Sequence, residues 1–148
     1  MKRIAAFIIV ALLATACMKN MEQGPSQREQ QLYSRQWKLV EVSQKSQADP
    51  SADSSILKGC HADDVIRLSA NGEFAILDNQ STCDSGILKY DAGIWLISLD
   101  QQKLLLSGQR GEKLWNITTL NDSVLQVTWL DSISASDKTL KTILMKNR

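Results

Sequence analysis

The sequence predicts an all-β domain, a small antiparallel up-and-down barrel of about eight strands. Short runs of alternating apolar and polar residues recur at even spacing from Gln36 to the C-terminus, and turn-forming pairs separate them. Neither a helical period nor a strand–helix alternation competes over the same stretch. A series of neighbouring strands that closes on itself leaves no edge, which favours a barrel over an open sandwich.

The elements follow in chain order. "QWKLVEVS", rich in Trp, Leu and Val, starts the first strand, and the polar stretch from Gln44 to Ser55 reads as a long loop. "DVIRLSA" puts Ile66 and Leu68 on one face and Arg67 and Ser69 on the other. Asn71-Gly72 then supplies the positive-φ residues of a tight hairpin, and "EFAILD" returns with Phe74 and Ile76 on one face. "GIWLISLD" and "KLLLSG" are joined at Gln101-Gln102, "EKLWNITTL" and "SVLQVTWLDS" at Asn121-Asp122, and "KTLKTILMKN" is the last strand. At period two, Ile66, Leu68, Phe74, Ile76, Trp95, Ile97, Leu125, Val127 and Trp129 should point inward.

Ahead of this domain the chain has a different character. "MKRIAAFIIVALLATAC" begins with Lys2 and Arg3 and continues with an apolar run from Ile4 to Ala14, too short to span about 30 Å of hydrocarbon as a helix. It reads as an export signal. Leu13-Ala14-Thr15-Ala16-Cys17 resembles the lipobox of bacterial lipoproteins. That resemblance implies a mature N-terminus at Cys17 carrying diacylglycerol and a further acyl chain such as palmitate, enough lipid for stable anchoring. Met18 after the cysteine, by the family's sorting rule, implies the outer membrane, and the periplasmic face is the default. The expected division is therefore a signal peptide over 1–16, a lipidated N-terminus and flexible tether over 17–35, and the barrel over 36–148. Within the tether, "SQREQQLYSRQ" contains helix formers, but the segment is Gln-rich and has little to bury.

Loss of Lys2 and Arg3 from the 17 basic residues leaves 15 against 16 acidic ones, with no basic stripe to call for nucleic acid. The remaining length suits one domain with a core of its own.

The domain resembles the small lipocalin-like domains of bacterial envelope lipoproteins. The features that carry the likeness are Trp37-Lys38-Leu39, Cys60 with Asp63-Asp64, the Asn71-Gly72 hairpin, Cys83-Asp84, Gly93-Ile94-Trp95-Leu96, Leu104-Leu105-Leu106 and "WNITTLNDSVLQV". It spans Gln36 to Asn147, and it implies a calycin-type barrel.

With Cys17 assigned to lipid by its resemblance, an exported chain in an oxidising compartment is expected to join Cys60 and Cys83 as a disulfide, contributing roughly 3 kcal/mol. A thiol–disulfide enzyme would want a Cys-x-x-Cys pair or basic neighbours, whereas Cys60 precedes two aspartates. His61, the single histidine, could touch a metal together with Asp63 and Asp64, but nothing further converges on them in the sequence, so no metal or cofactor is expected. Neither a nucleophile elbow nor a phosphate loop is present, and no catalytic residues are assigned.

Of the four tryptophans, Trp37 is expected to plug the closed end of the barrel, while Trp95, Trp115 and Trp129 divide between core and pocket. The expected function is a lipid-anchored binder of a small hydrophobic molecule, in a narrow pocket between Trp95 and Trp129 with Phe74 and Trp115 as further contacts. The alternative is a filled scaffold whose loops meet a protein partner of the envelope. Cavity volume separates the two.

Overall fold

The computed structural model describes residues 24–46, 53–81, 89–132 and 138–148. The signal segment, Cys17 and Cys83 lie outside the described residues.

Among the described residues, nine antiparallel strands follow one helix: α1 (Gln27–Tyr33), β1 (Gln36–Ser46), β2 (Asp53–Ser55), β3 (Val65–Leu68), β4 (Glu73–Leu77), β5 (Lys89–Ile97), β6 (Lys103–Gly108), β7 (Gly111–Leu120), β8 (Val124–Ser132) and β9 (Lys138–Asn147). Strands β3 to β9 pair in sequence order, and β1 closes the cylinder between β9 and β3. The result is the expected eight-stranded up-and-down barrel, with β2 as an added strand. Closure is extensive on one side of β1, running from Trp37↔Asn147 to Ser46↔Thr139 with a bulge between Leu39 and Glu41. On its other side β1 pairs with β3 only over Gln36 to Lys38, and β2 takes Ser43 to Lys45. The stretch read as loop thus folds back onto the strand it leaves, because β3 is too short to cover the whole edge of β1. A 3-10 turn at Gly59–His61 joins β2 to β3.

The hairpin signals translate directly. Gly72 sits at φ +83°, with its N–H donating to the Ser69 carbonyl, and Leu68 faces Phe74 across the turn. Gln101 takes a left-handed φ of +57° at the β5–β6 turn, where Asp100 accepts from the Gln102 N–H. All the positions expected to face inward are buried or half-buried.

The tether differs from expectation. Ser26 and Glu29 form a reciprocal capping box that starts α1, and Leu32 at its far end is fully buried in the barrel core. The Trp37 indole N–H donates to the Leu32 carbonyl at 2.9 Å. Arg35 ties the same end to the β7–β8 turn, donating to Asp122 Oδ1 at 2.6 Å. Composition concealed this because one leucine, not an apolar stripe, makes the seal. Leu32→Ala should therefore destabilise the domain by about 2–5 kcal/mol, the range for truncating a buried leucine. Urea denaturation checks this, and an unchanged midpoint would return the segment to a tether.

Candidate functional site: a cavity in the open half of the barrel

The two ends of the barrel are built differently. At the α1 end, Leu32, Trp37, Leu68, Trp95, Leu125 and Met145 are buried together in the core. Trp95 belongs to this filled half, where its indole N–H donates to the Ser69 carbonyl at 2.9 Å. The opposite half holds a cavity of about 1020 Å³ that opens to the exterior. Its apolar wall comes from Leu39, Val42, Ile66, Ile76, Trp115, Trp129 and Ile143. Trp115 and Trp129 stand side by side with ring centroids 6.1 Å apart and planes tilted by 32°.

The cavity lining includes Trp115 and Trp129 but neither Trp95 nor Phe74. Phe74 is buried against the glycine pair of β5 and β6: a Cβ on Gly108 would lie 2.7 Å from the Phe74 ring. The space is also larger than the narrow pocket expected, and sits at the upper end of the usual range for small-molecule sites. Large side chains fill only the lower layers.

What occupies the upper layers instead is charge. Asp91, Lys113, Asp131 and Lys141 all fall on the inward face of their strands, in phase with Trp95, Trp115, Trp129 and Ile143. Asp91 is 1% exposed and accepts from Lys113 Nζ at 2.7 Å and from the Ala92 and Arg110 backbone N–H groups. Room for it exists because Gly108 lies on the neighbouring strand, where a Cβ would come within 2.6 Å of Asp91 Oδ1. Gly93 faces Gly108 in register, and a Cβ there would meet the Ser107 carbonyl at 2.0 Å, so the two backbones approach too closely for any other residue. Burial alone would raise the Asp91 carboxyl, but Lys113 and the two N–H donors outweigh it and hold it below the usual carboxylate range. Lys141 pairs with Asp131 and lies 6.0 Å from the Trp129 ring.

The 3-10 turn completes the rim. His61 Nδ1 lies 2.8 Å from Asp64 Oδ2, and its ring meets Tyr90 edge-on at 5.2 Å. The Arg110 guanidinium stacks over the other partner in this row, 3.6 Å from the Tyr90 centroid. Burial raises the Asp64 carboxyl, His61 opposes the rise, and neighbouring Asp78 adds to it. Asp63 serves the adjoining loop, accepting from the Gln80 and Ser81 N–H groups. No group of three or more His, Cys, Asp and Glu side chains is placed to hold a metal ion among the described residues. Cys60, in the same turn, does not behave as a free thiol.

Sequence reasoning assigned no role to Asp91, Lys113, Asp131 or Lys141, although a signal was there: a charged residue at an inward position of a strict alternation needs either a buried partner or a cavity. No family model and no curated protein sequence matches the chain.

The Asp91–Lys113 pair yields a pH-dependent expectation. A carboxyl with a lowered folded pKa stabilises above its unfolded value and loses that contribution as pH falls through the folded value. Lys113→Met should cost about 1–3 kcal/mol at neutral pH, less than a fully buried pair because Lys113 is 34% exposed. The gap to the unsubstituted chain should narrow below the unfolded carboxyl value of 3.8. Urea midpoints across that pH range check both statements, and a gap independent of pH would remove Asp91 as its cause.

Proposed function

We propose that this chain is a lipid-anchored, lipocalin-like lipoprotein of the outer membrane that holds a small amphipathic molecule in the open half of its barrel, with Trp115 and Trp129 against the apolar part. The single observation that carries the proposal is the cavity of about 1020 Å³ with an apolar wall and a charged upper ring. A scaffold acting only through its loops has no use for an unfilled interior, since open volume forfeits packing. The anchor rests on the Leu13 to Cys17 stretch, and residence in an oxidising envelope is supported by the engagement of Cys60, whose proposed disulfide partner is Cys83. The charged groups are read as contacts for the polar end of a ligand.

The test compares the full chain with Cys17→Ser and Trp129→Ala. Cys17→Ser should leave the detergent phase while binding ligand unchanged. Trp129→Ala should stay anchored and lose about tenfold in affinity, the loss of one aromatic contact. Tryptophan fluorescence during titration with fatty acids, retinoid-like compounds and tetrapyrroles reads the binding. No binding by any of them would reject a ligand carrier, and equal partitioning of Cys17→Ser would reject the anchor.

A further inference from the structure

The wall of the barrel is split on one side. β7 and β8 pair at Asn116↔Thr128, Ile117↔Val127, Thr119↔Gln126 and Leu120↔Leu125, and the ladder stops there. Yet β7 extends back to Gly111 and β8 forward to Ser132. Over the missing stretch β7 remains paired with β6 down to Gly108↔Gly111, and β8 with β9 up to Ser132↔Lys138. Both strands are therefore intact where they part. Ile117 N–H donates to the Gln102 carbonyl on the β6 side, so by alternation the N–H and C=O of Leu114 point toward β8. Had the register continued, Leu114 would sit opposite Leu130.

The side chains around this seam are apolar on both faces. Trp115 and Trp129 flank it inside the barrel, in contact with the cavity. Leu114 and Leu130 flank it outside, 54% and 53% exposed, and both also line the cavity. Residues whose side chains lie on the outer surface thus border the same space as the inward tryptophans, as they would where that space reaches the outside between their strands. The outer apolar surface continues away from the seam in register, through Leu105 to Leu96 on one side and to Leu140 on the other. The open end of the barrel has the opposite character, ringed by Lys113, Asp131, Lys141, His61 and Asp64. An apolar chain crossing that ring would face paired charges, whereas at the seam it meets leucine outside and tryptophan inside.

We infer that the seam between β7 and β8 is a side entrance through which an apolar chain passes from the outer surface of the barrel into the cavity. The inference rests on the proposed ligand-binding role and adds the route and the class of ligand it admits, a single-chain amphiphile that enters tail first. Its polar end then stays at the charged ring, near Lys141 and Asp131. Leaving the seam open costs little, because its unpaired backbone groups lie at the surface, where water satisfies them.

The test bridges the seam. The full chain carrying Leu114→Cys and Leu130→Cys, both at exposed positions, is treated with a short bifunctional thiol cross-linker. Uptake of cis-parinaric acid, a fluorescent fatty acid, is followed by stopped flow. Gln126→Cys with Leu144→Cys, opposite each other in the intact β8–β9 ladder, is the control, and the unsubstituted chain receives the same treatment. Bridging the seam should slow uptake about tenfold or more, as expected when association requires an obstructed path. Bridging after loading should trap the probe, and the control should be unaffected. Unchanged uptake in the bridged protein would overturn the side entrance while leaving the binding role intact. Failure of every form to take up the probe, the untreated chain included, would remove the binding role and the entrance with it.

Discussion

The structure depends on how the two edges of β1 are used. One edge is hydrogen-bonded to β9 along almost its full length and closes the barrel. The other is divided, with β3 holding its first residues and β2 its last. Closure joins the long edges of β1 and β9 that an open sheet would expose. The divided edge makes the two ends unequal, because the segment between β2 and β3 must pass over the open half and brings Ile56, His61 and Asp64 to the cavity. The bulge between Leu39 and Glu41 falls between these two regions of β1.

The unequal ends separate stability from function. In the lower half, large apolar side chains fill the section and α1 seals it with Leu32, so hydrophobic burial concentrates there. In the upper half, ion pairs replace the next apolar layer, and Gly108 leaves the room in which Asp91 is buried beside Phe74. A buried carboxylate such as Asp91 is costly unless fully partnered, and it is partnered by one ammonium and two N–H groups. Lys113, held by Asp91, and the Lys141–Asp131 pair line the cavity without collapsing it, where aliphatic residues of the same volume would pack together. A cavity wall that is apolar below and charged above suits a ligand with the same division.

Much of the fold was legible from the period-two alternation and the Asn71-Gly72 and Asn121-Asp122 turns, because those signals are local. Trp37 as the plug of the closed end was legible as well. The helix formers after Ser26 were legible too, but not their docking onto the barrel, since one buried leucine leaves little trace against a Gln-rich background. Nor was β2, whose three residues pair only because β3 leaves part of β1 uncovered. Trp115 and Trp129 were placed at the pocket, whereas Trp95 and Phe74 lie in the filled half. Period two tells inward from outward but not depth along the barrel axis, which depends on strand stagger. The ion pairs depend on cross-barrel neighbours for the same reason.

The central claim is that the upper half of the barrel is hollow and its wall parted between β7 and β8. Amide hydrogen exchange measured residue by residue tests it most directly. The account predicts that the Leu114 and Leu130 amides exchange at rates close to those of an unstructured chain, while amides in the β1–β9 and β8–β9 ladders open only with the whole domain. Protection of Leu114 and Leu130 equal to that of those ladders would mean a continuous β7–β8 ladder, and would contradict it.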